Sequence, residues 1–352
     1  MSLGAIVSPS GTPDPGFPQP DVVIIDEGGL RPSTFTLNYA LNLQNGDFDL
    51  LSNAALDPDA TVVVQVSPGG SLQTLIKGFV LGQSIEFHVG GDGSTLQVMG
   101  ADQSASMNQE HHSLVWSDVT DSAVVQQICG QNGLTPITDT TSTVHATSKQ
   151  SLVQRETDLE FLYRLARRNG FWFWVNADPS AQVLMAHFVK PPVTGTSTAT
   201  LSVRAGSANI DGISLQWDTD RPSAVSAKQL DLASLSVNDG SVTRSPLTGL
   251  ASKALADVVQ KPRTRQLAVP VSDQADLQAR AEALLIEAGW FVSAQVTARL
   301  SVLKSVVRAN TVVTLDGAGS RHSGTYLVAR VVHTIDAEDH IMTIDLVRNG
   351  WN

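Results

Sequence analysis

The stretch "RETDLEFLYRLARRNGFWFWVN", Arg155–Asn176, holds the densest patch of arginine and aromatic residues in a chain that is otherwise acidic and poor in aromatics. Catalysis, nucleic-acid binding and architecture each offer a reason for such a patch. Thr157 and Glu160 have the T-x-x-E spacing of a capping box, which marks a helix start. Phe161, Leu162, Leu165 and Ala166 recur at helical spacing and make an apolar stripe. Arg164, Arg167 and Arg168 fall in the last turns, where the helix dipole favours cations. Gly170 supplies the stop. "FWFWV" (Phe171–Val175) then reads as a strand, with "AQVLMAHFV" (Ala181–Val189) as its hairpin partner across "NADPS". In that strand Phe171 and Phe173 oppose Trp172 and Trp174. A strand apolar on both faces is normally buried on both, in a core or at an interface.

Outward from this centre the texture alternates. On the N-terminal side lie strand signals: "TVVVQV" (Thr61–Val66), "LIKGFVLGQSIEFHV" (Leu75–Val89) and "STLQVMGA" (Ser94–Ala101), the last two joined by "GGDG". The glycine inside the second run marks a bulge or a close backbone approach. "TDSAVVQQICGQNGL" (Thr120–Leu134) reads as a helix capped by Thr120, with Val124, Ile128 and Cys129 on one face. On the C-terminal side "PPVTGTSTAT" (Pro191–Thr200) reads as a linker and "ISLQW" (Ile213–Trp217) as a strand. "SLSVNDGSVTRSPLTG" (Ser234–Gly249) reads as a turn-rich excursion. A helix capped by Ser272 or Asp273 follows, lined by Leu277, Ala281, Leu284 and Leu285. "TYLVARVVHTIDAEDHIMTIDLVRN" (Thr325–Asn349) makes a long hairpin around Asp336–Asp339. Strands, a helical insert and strands again describe two β-units flanking an α/β insert, an α+β arrangement. No internal repeat is evident.

Bulk properties narrow the function classes. A length of 352 residues suits two or three domains. Apolar residues make up 42% and charged residues only 16%, a balance that suits a β-rich protein with a neutral polar surface. The net charge of −11 repels phosphate backbones and argues against a nucleic-acid reader. Cys129 is the lone cysteine, so no intramolecular disulfide framework exists. The N-terminus lacks the basic and apolar regions of a secretory signal. Prolines at positions 9, 13, 15, 18 and 20 suggest an extended arm, disordered or laid on a partner.

Candidate chemistry is thin. His111 and His112 are adjacent, and side chains at i and i+1 diverge where a metal needs convergence; a polar loop is the simpler reading. Glu156, Asp158 and Glu160 crowd one first turn, where complementing the dipole explains them better than an acid–base pair does. The arginine group reads as a solvated helix end, or as salt bridges to a neighbouring chain, before it reads as a phosphate cradle. "GAGSRHSG" (Gly317–Gly324) lies between strands, opens no helix and matches neither phosphate-binding pattern. Cys129 sits on an apolar helix face and is simplest as core. No nucleophile elbow, zinc helix or C-x-x-C pair occurs.

The central stretch resembles a known signature. A helix opening with "QRETDLEFLYRLARRNG" and entering an aromatic strand is similar to the signature of phage late control D proteins. That superfamily includes contractile-phage baseplate hubs and the N-terminal part of type VI secretion VgrG proteins. Its recurrent Arg, acidic pair, Phe and Gly correspond to Arg155, Glu156, Asp158, Phe161 and Gly170; Trp172 and Phe173 follow in the strand. "LIKGFV" resembles the early F-x-G-x-V strand of these proteins, with Ile76 in place of the aromatic. "ADLQARAEALL" (Ala275–Leu285) resembles their late helix, and "HSGTYLVARVVHTID" (His322–Asp336) their closing strand, including His333. The resemblance spans roughly residues 30–350. It departs at "LKSVVRA" (Leu303–Ala309), where a Pro-Gly turn is usual.

The resemblance implies an α+β, mostly β fold of two tube-protein-like β-barrels flanking an α/β insert. The expected boundaries are an extended arm over 1–21, a first barrel over 22–106, the insert over 107–190 and a second barrel over 191–352 with one helix near 272–288. It implies a non-enzymatic homotrimeric hub with pseudo-sixfold symmetry, joining a hexameric tail tube to a trimeric central spike. No cofactor, metal or catalytic residue is expected. Partners would be further copies of the chain, the tube protein, a separate spike protein and other baseplate proteins, with DNA or cargo only passing through the lumen. The expected location is a virion tail baseplate or injection particle, assembled in the producing cell's cytoplasm. The alternatives are the tip of a long non-contractile tail and a tail-associated peptidoglycan hydrolase.

Overall fold

The computed structural model describes residues 4–29, 31–41, 48–148, 151–178, 183–231, 235–269, 271 and 273–352. The first β-unit contains β1 (Ala5–Ser8), β2 (Val22–Gly28), β3 (Thr34–Ala40), β4 (Thr61–Val66), β5 (Gln73–Glu86) and β6 (Thr95–Asp102). Val23, Ile25, Phe35, Leu37, Leu96 and Val98 form the heart of its core. They recur at every second position of β2, β3 and β6, because alternate residues of a strand share a face. The glycines inside the second strand run have distinct roles. A Cβ on Gly78 would lie 2.0 Å from the Ala101 carbonyl oxygen, so the backbones of β5 and β6 approach too closely there for any side chain. The register of the same pair shifts between Val80 and Gly82, where β5 bulges.

The proline-rich N-terminal segment does not project as an arm. β1 pairs antiparallel with β4, and Ala5, Val7 and Phe17 are buried in the first core. These apolar residues outweigh the stiffness of the prolines, which stand outside β1.

The insert contains β7 (His111–Trp116), α1 (Asp121–Gln131), β8 (Thr135–Thr138), β9 (Leu152–Thr157), α2 (Asp158–Asn169), β10 (Trp172–Ala177) and β11 (Leu184–Val189). His111 and His112 lie on β7, paired with β9, and not in a loop. Thr120 caps α1, its hydroxyl accepting from the Ala123 N–H at 3.3 Å. β10 and β11 pair antiparallel, and β11 pairs parallel with β8. The apolar stripe of α2, the buried face of α1 and the phenylalanines of β10 and β11 make one core.

The remaining strands are β12 (Thr200–Ser202), β13 (Gly212–Trp217), β14 (Ala224–Asp231), β15 (Ser236–Asp239), β16 (Thr264–Leu267), β17 (Val292–Arg299), β18 (Val312–Asp316), β19 (Gly324–Ile335) and β20 (His340–Arg348). Among them are the single turns α3 (Leu255–Val258), α5 (Leu300–Leu303) and α6 (Gly319–His322), and the longer α4 (Gln274–Ala288). The glycine-rich Gly317–Gly324 stretch therefore does hold one helical turn. Asp273 caps α4 and accepts from the Asp276 N–H at 3.0 Å; Ser272 lies outside the described residues. Within the turn-rich excursion Ser236–Asp239 is a strand. β15, β14 and β16 form a small sheet, and Val225, Ala227, Leu277, Ala281 and Leu285 make a core of their own there.

The two β-units are one hydrogen-bonded sheet. Its path runs β1-β4-β5-β6-β3-β2-β19-β20-β17-β13, with β18 joining β19 and β12 joining β18. β2 and β19 meet antiparallel, Ile25 opposite His333 and Val23 opposite Ile335. Separate apolar clusters lie on either side of that seam. Among the described residues no helix is long and apolar enough to cross a membrane.

Candidate functional site

The central stretch folds as its local chemistry dictates. The Thr157 hydroxyl accepts from the Glu160 N–H, and the Glu160 carboxylate accepts from the Thr157 N–H, both at 3.2 Å. Gly170 ends α2 at φ 67°, and a Cβ there would come within 2.9 Å of Ala283 Cα. Glycine is thus required twice, for a left-handed cap and for close passage of α4.

The signature residues separate into different surroundings. Phe161 and Phe173 are fully buried in the insert core, with Phe173 edge-on to Tyr163. Glu156 accepts from Arg164 Nε at 2.7 Å. Asp158 accepts from Gln154 at 2.8 Å and from Asn132 at 3.3 Å, with His112 Nε2 at 3.7 Å. Arg155 is exposed, and its side chain makes no hydrogen bond or ion pair among the described residues. Trp172 is half-buried against Trp290, and Trp174 stacks on His187 at 4.4 Å. The strand is therefore buried fully on its phenylalanine face and only partly on its tryptophan face.

The arginines of α2 all find carboxylates within the chain. Arg167 reaches Glu287 on α4 at 3.4 Å. Arg168 lies between Asp121 at 3.3 Å and Asp276 at 3.4 Å, and is nearly buried. Asp121 also receives His145 at 2.8 Å and Asn169 at 2.7 Å. Burial raises the affinity of Asp121 for a proton, but the His145 hydrogen bond and the Arg168 charge outweigh it and hold the carboxyl below its usual range. This node fastens the insert to α4. Each arginine of α2 is thus engaged by a carboxylate of this chain.

A second buried node sits on the seam between the β-units. Glu27 on β2 accepts from Arg308 Nε at 2.7 and 3.0 Å. Arg308 also donates to the carbonyls of Thr74 at 2.8 Å and Leu75 at 2.7 Å on β5. His333 Nε2 lies 3.5 Å from Glu27, and its Nδ1 lies 2.8 Å from His340 Nε2. Burial pushes the Glu27 carboxyl up, but Arg308 and His333 more than reverse this and bring it to about 2. Burial, reinforced by the charge of His333, lowers His340 to about 3. The segment that departs from the expected Pro-Gly turn is the source of this clamp. Left-handed Lys304 and Asn310 flank it, and Val306 and Val307 sink into the two β-unit cores.

Sequence reasoning did not find Arg308, Glu27, Asp121 or Asp276. A single Glu in the apolar run "VVIIDEGG" and a single Arg in "SVVRAN" were the available signals, since lone charges among buried residues need partners.

Among the described residues apolar surface is open at several places, the β14–β15 hairpin with Leu230, Leu235 and Val237 among them. On the β5–β6 hairpin Leu81, Ile85, Phe87 and Val89 are exposed, Val89 completely at 107%. On the β7–β9 ribbon Leu114, Val115 and Val153 are exposed beside Arg155. An aromatic cavity of about 200 Å³ lies between β10 and α4, walled by Trp172, Trp174, Trp290 and Ile286. Among the described residues no cluster of three or more His, Cys, Asp or Glu is arranged to hold a metal.

A family model described as the Alg8 N-terminal domain matches residues 40–337. No curated protein sequence matches the chain. The 43 kDa tail protein of prophage MuSo2 from Shewanella oneidensis has a similar structure, with a TM-score of 0.68, 16% identity and 100% of each chain covered. A tail protein from Neisseria meningitidis gives a TM-score of 0.68 at 14% identity, over 100% of this chain and 98% of that one. An Escherichia coli component of the type VI secretion system, described as structurally similar to T4 bacteriophage tail proteins, gives 0.60 at 11% identity, over 99% of this chain and 75% of that one. At such identities the likeness is one of fold.

Proposed function

We propose that this chain, which belongs to the family described as the Alg8 N-terminal domain, is a non-enzymatic structural hub of a phage tail or related contractile injection particle. The observation that carries the reading is the end-to-end likeness of fold to two phage tail proteins, neither chain leaving a large part unmatched. The single sheet running past two separate cores supports a second level of the reading. Each half is a tube-protein-like barrel unit, and three copies present six of them in a closed ring. Such a ring adapts a sixfold tube to a threefold spike. The partners are the tube protein on one side and a spike protein on the other. The location is the tail baseplate of a virion or an injection particle.

In this reading the signature residues are architectural. Phe161, Phe173 and Gly170 set the insert, Glu156 and Asp158 anchor the ends of β9 and α2, and Arg155 faces a neighbour. The acidic balance of the chain suits a lumen that lets DNA pass without sticking. Native mass by light scattering, alone and with the spike protein, tests the proposal. Three protomers of 37.3 kDa give about 112 kDa. A stable dimer would contradict the hub, because twofold symmetry does not bridge a sixfold and a threefold object.

A further inference from the structure

The buried histidine pair at the seam has a proton limit set by its geometry. His333 on β19 is fully buried and His340 on β20 is 3% exposed. His333 Nδ1 and His340 Nε2 lie 2.8 Å apart, a hydrogen bond between two ring nitrogens. One of these nitrogens carries the proton and the other accepts it. Two imidazolium rings would set N–H against N–H, so the closed pair holds one added proton at most. The outer nitrogens differ. His333 Nε2 has the Glu27 carboxylate 3.5 Å away, whereas His340 Nδ1 is buried with no hydrogen-bond partner. A first proton therefore has a counter-charge beside it, and a second would be a buried charge without one.

The surrounding charges are already committed. Glu27 of β2 is held by Arg308, and Arg308 also donates to the Thr74 and Leu75 carbonyls of β5. Lys77 of β5 and Arg31 line the cleft on the far side of that pair. In the β19–β20 turn Asp339 accepts from the Ser301 and His340 N–H groups, and Asp336 from those of Glu338 and Asp339. Arg299 at the end of β17 attracts Asp339 but donates to Asp211. A cleft of about 410 Å³ reaches His340 at this turn, with Asp336, Glu338, Asp339 and Lys304 on its walls. Across the cleft the turn is fastened twice. Gly4 N–H donates to the Asp336 carbonyl at 3.4 Å, and Ser301 N–H to the Asp339 carboxylate at 3.2 Å.

We propose that the histidine pair is an acid latch. Closed, it keeps the β19–β20 turn fastened to the N-terminal strand and to α5. When a second proton arrives from solvent in the cleft, the bond between the rings breaks, His340 swings into the cleft and the turn lifts from both. Burial and the charge of His333 hold His340 at about 3 in the closed form, against 6.5 for a free imidazole. The open form thus binds protons that the closed form refuses, and opening becomes easier as pH falls below 6.5. The latch belongs to this chain and is independent of the hub reading.

The test is amide hydrogen exchange between about pH 6.5 and 5. The carboxyls of Glu27, Asp336 and Asp339 are all held below their usual values and stay ionised there, so the window isolates the histidines. Protection, corrected for the intrinsic rate, is expected to fall about tenfold per pH unit at Gly4, Ser301 and His340. It should stay constant across β14, β15 and β16, which carry no histidine. His340→Gln keeps a donor for His333 and does not titrate, and is expected to flatten the dependence. Ring nitrogen chemical shifts of the wild-type protein should show at most one imidazolium in the pair, a readout that needs no variant. Protection that is flat with pH, or that falls equally in His340→Gln, overturns the latch. So do two imidazolium rings in a turn that is still protected.

Discussion

On β10, Phe173 and Val175 lie in the insert core, whereas Trp172 and Trp174 on the opposite face meet Trp290 and His187 at the edge of two clefts. The same strand thus builds a core with one face and a boundary with the other. Hydrophobicity alone does not separate them, since both faces are aromatic. What separates them is the partner: Phe173 meets Tyr163 on α2, whereas Trp172 meets Trp290 just beyond α4 and Trp174 meets His187 on β11.

That contrast is open to direct attack. Phe173→Ala removes a fully buried ring from a well-packed core and is expected to cost about 3–5 kcal/mol in a denaturant titration. A loss under about 1 kcal/mol would mean that the phenylalanine face is not the core.

Acid probes the tryptophan face next. Burial lowers His187 from 6.5 to about 4, while the ring stacks on Trp174 and its Nε2 lies 2.7 Å from Asn176 Oδ1. Between those values the unfolded chain binds the proton and the folded chain does not. Stability therefore falls as pH drops from 6.5 towards 4, and the effect is absent above that window. His340 loses stability in the same direction, so the informative quantity is the difference between wild type and His187→Gln. The variant is expected to lose about 1–3 kcal/mol less across the window. Equal acid losses in the two proteins would remove His187 from the account.

Trp172→Ala is expected to cost less, about 1–2 kcal/mol, because its ring keeps some exposure where Phe173 has almost none. The expectation that a strand apolar on both faces is buried on both, in a core or at an interface, is met in full within this chain only on the phenylalanine face. A cost matching that of Phe173→Ala would erase the contrast. The smallest effect belongs to Arg155→Ala, whose side chain has no partner among the described residues. Thermal unfolding should place it within about 0.5 kcal/mol of wild type. Its effect is expected in assembly, read by native mass.

Much of the architecture was legible locally. The capping box of α2, the Thr120 cap of α1, the Asp273 cap of α4 and the β10–β11 hairpin all follow from residues a few positions apart. So does the β19–β20 hairpin, where the Asp336 carboxylate accepts from the Glu338 and Asp339 N–H groups at 2.7 and 3.0 Å. The N-terminal segment was misread because proline content spoke louder than Ala5, Val7 and Phe17, whose value depends on a core built from later residues. The α4 region is expected as a barrel with one helix, and nothing local reveals that β14, β15 and β16 gather beneath that helix.

The sequence by itself determined where helices and strands begin, which faces are apolar and that no simple catalytic or metal motif is written in the chain. Caps, periodicity and turn residues act over a few positions, so their meaning survives without the fold. Only the tertiary structure decided which charges meet. Arg308 finds Glu27 across 281 positions and Arg168 finds Asp276 across 108. Each of these arginines reads in sequence as an ordinary surface cation. Burial makes them fasteners, because a charge taken out of water persists only where a partner of opposite sign has been brought to it.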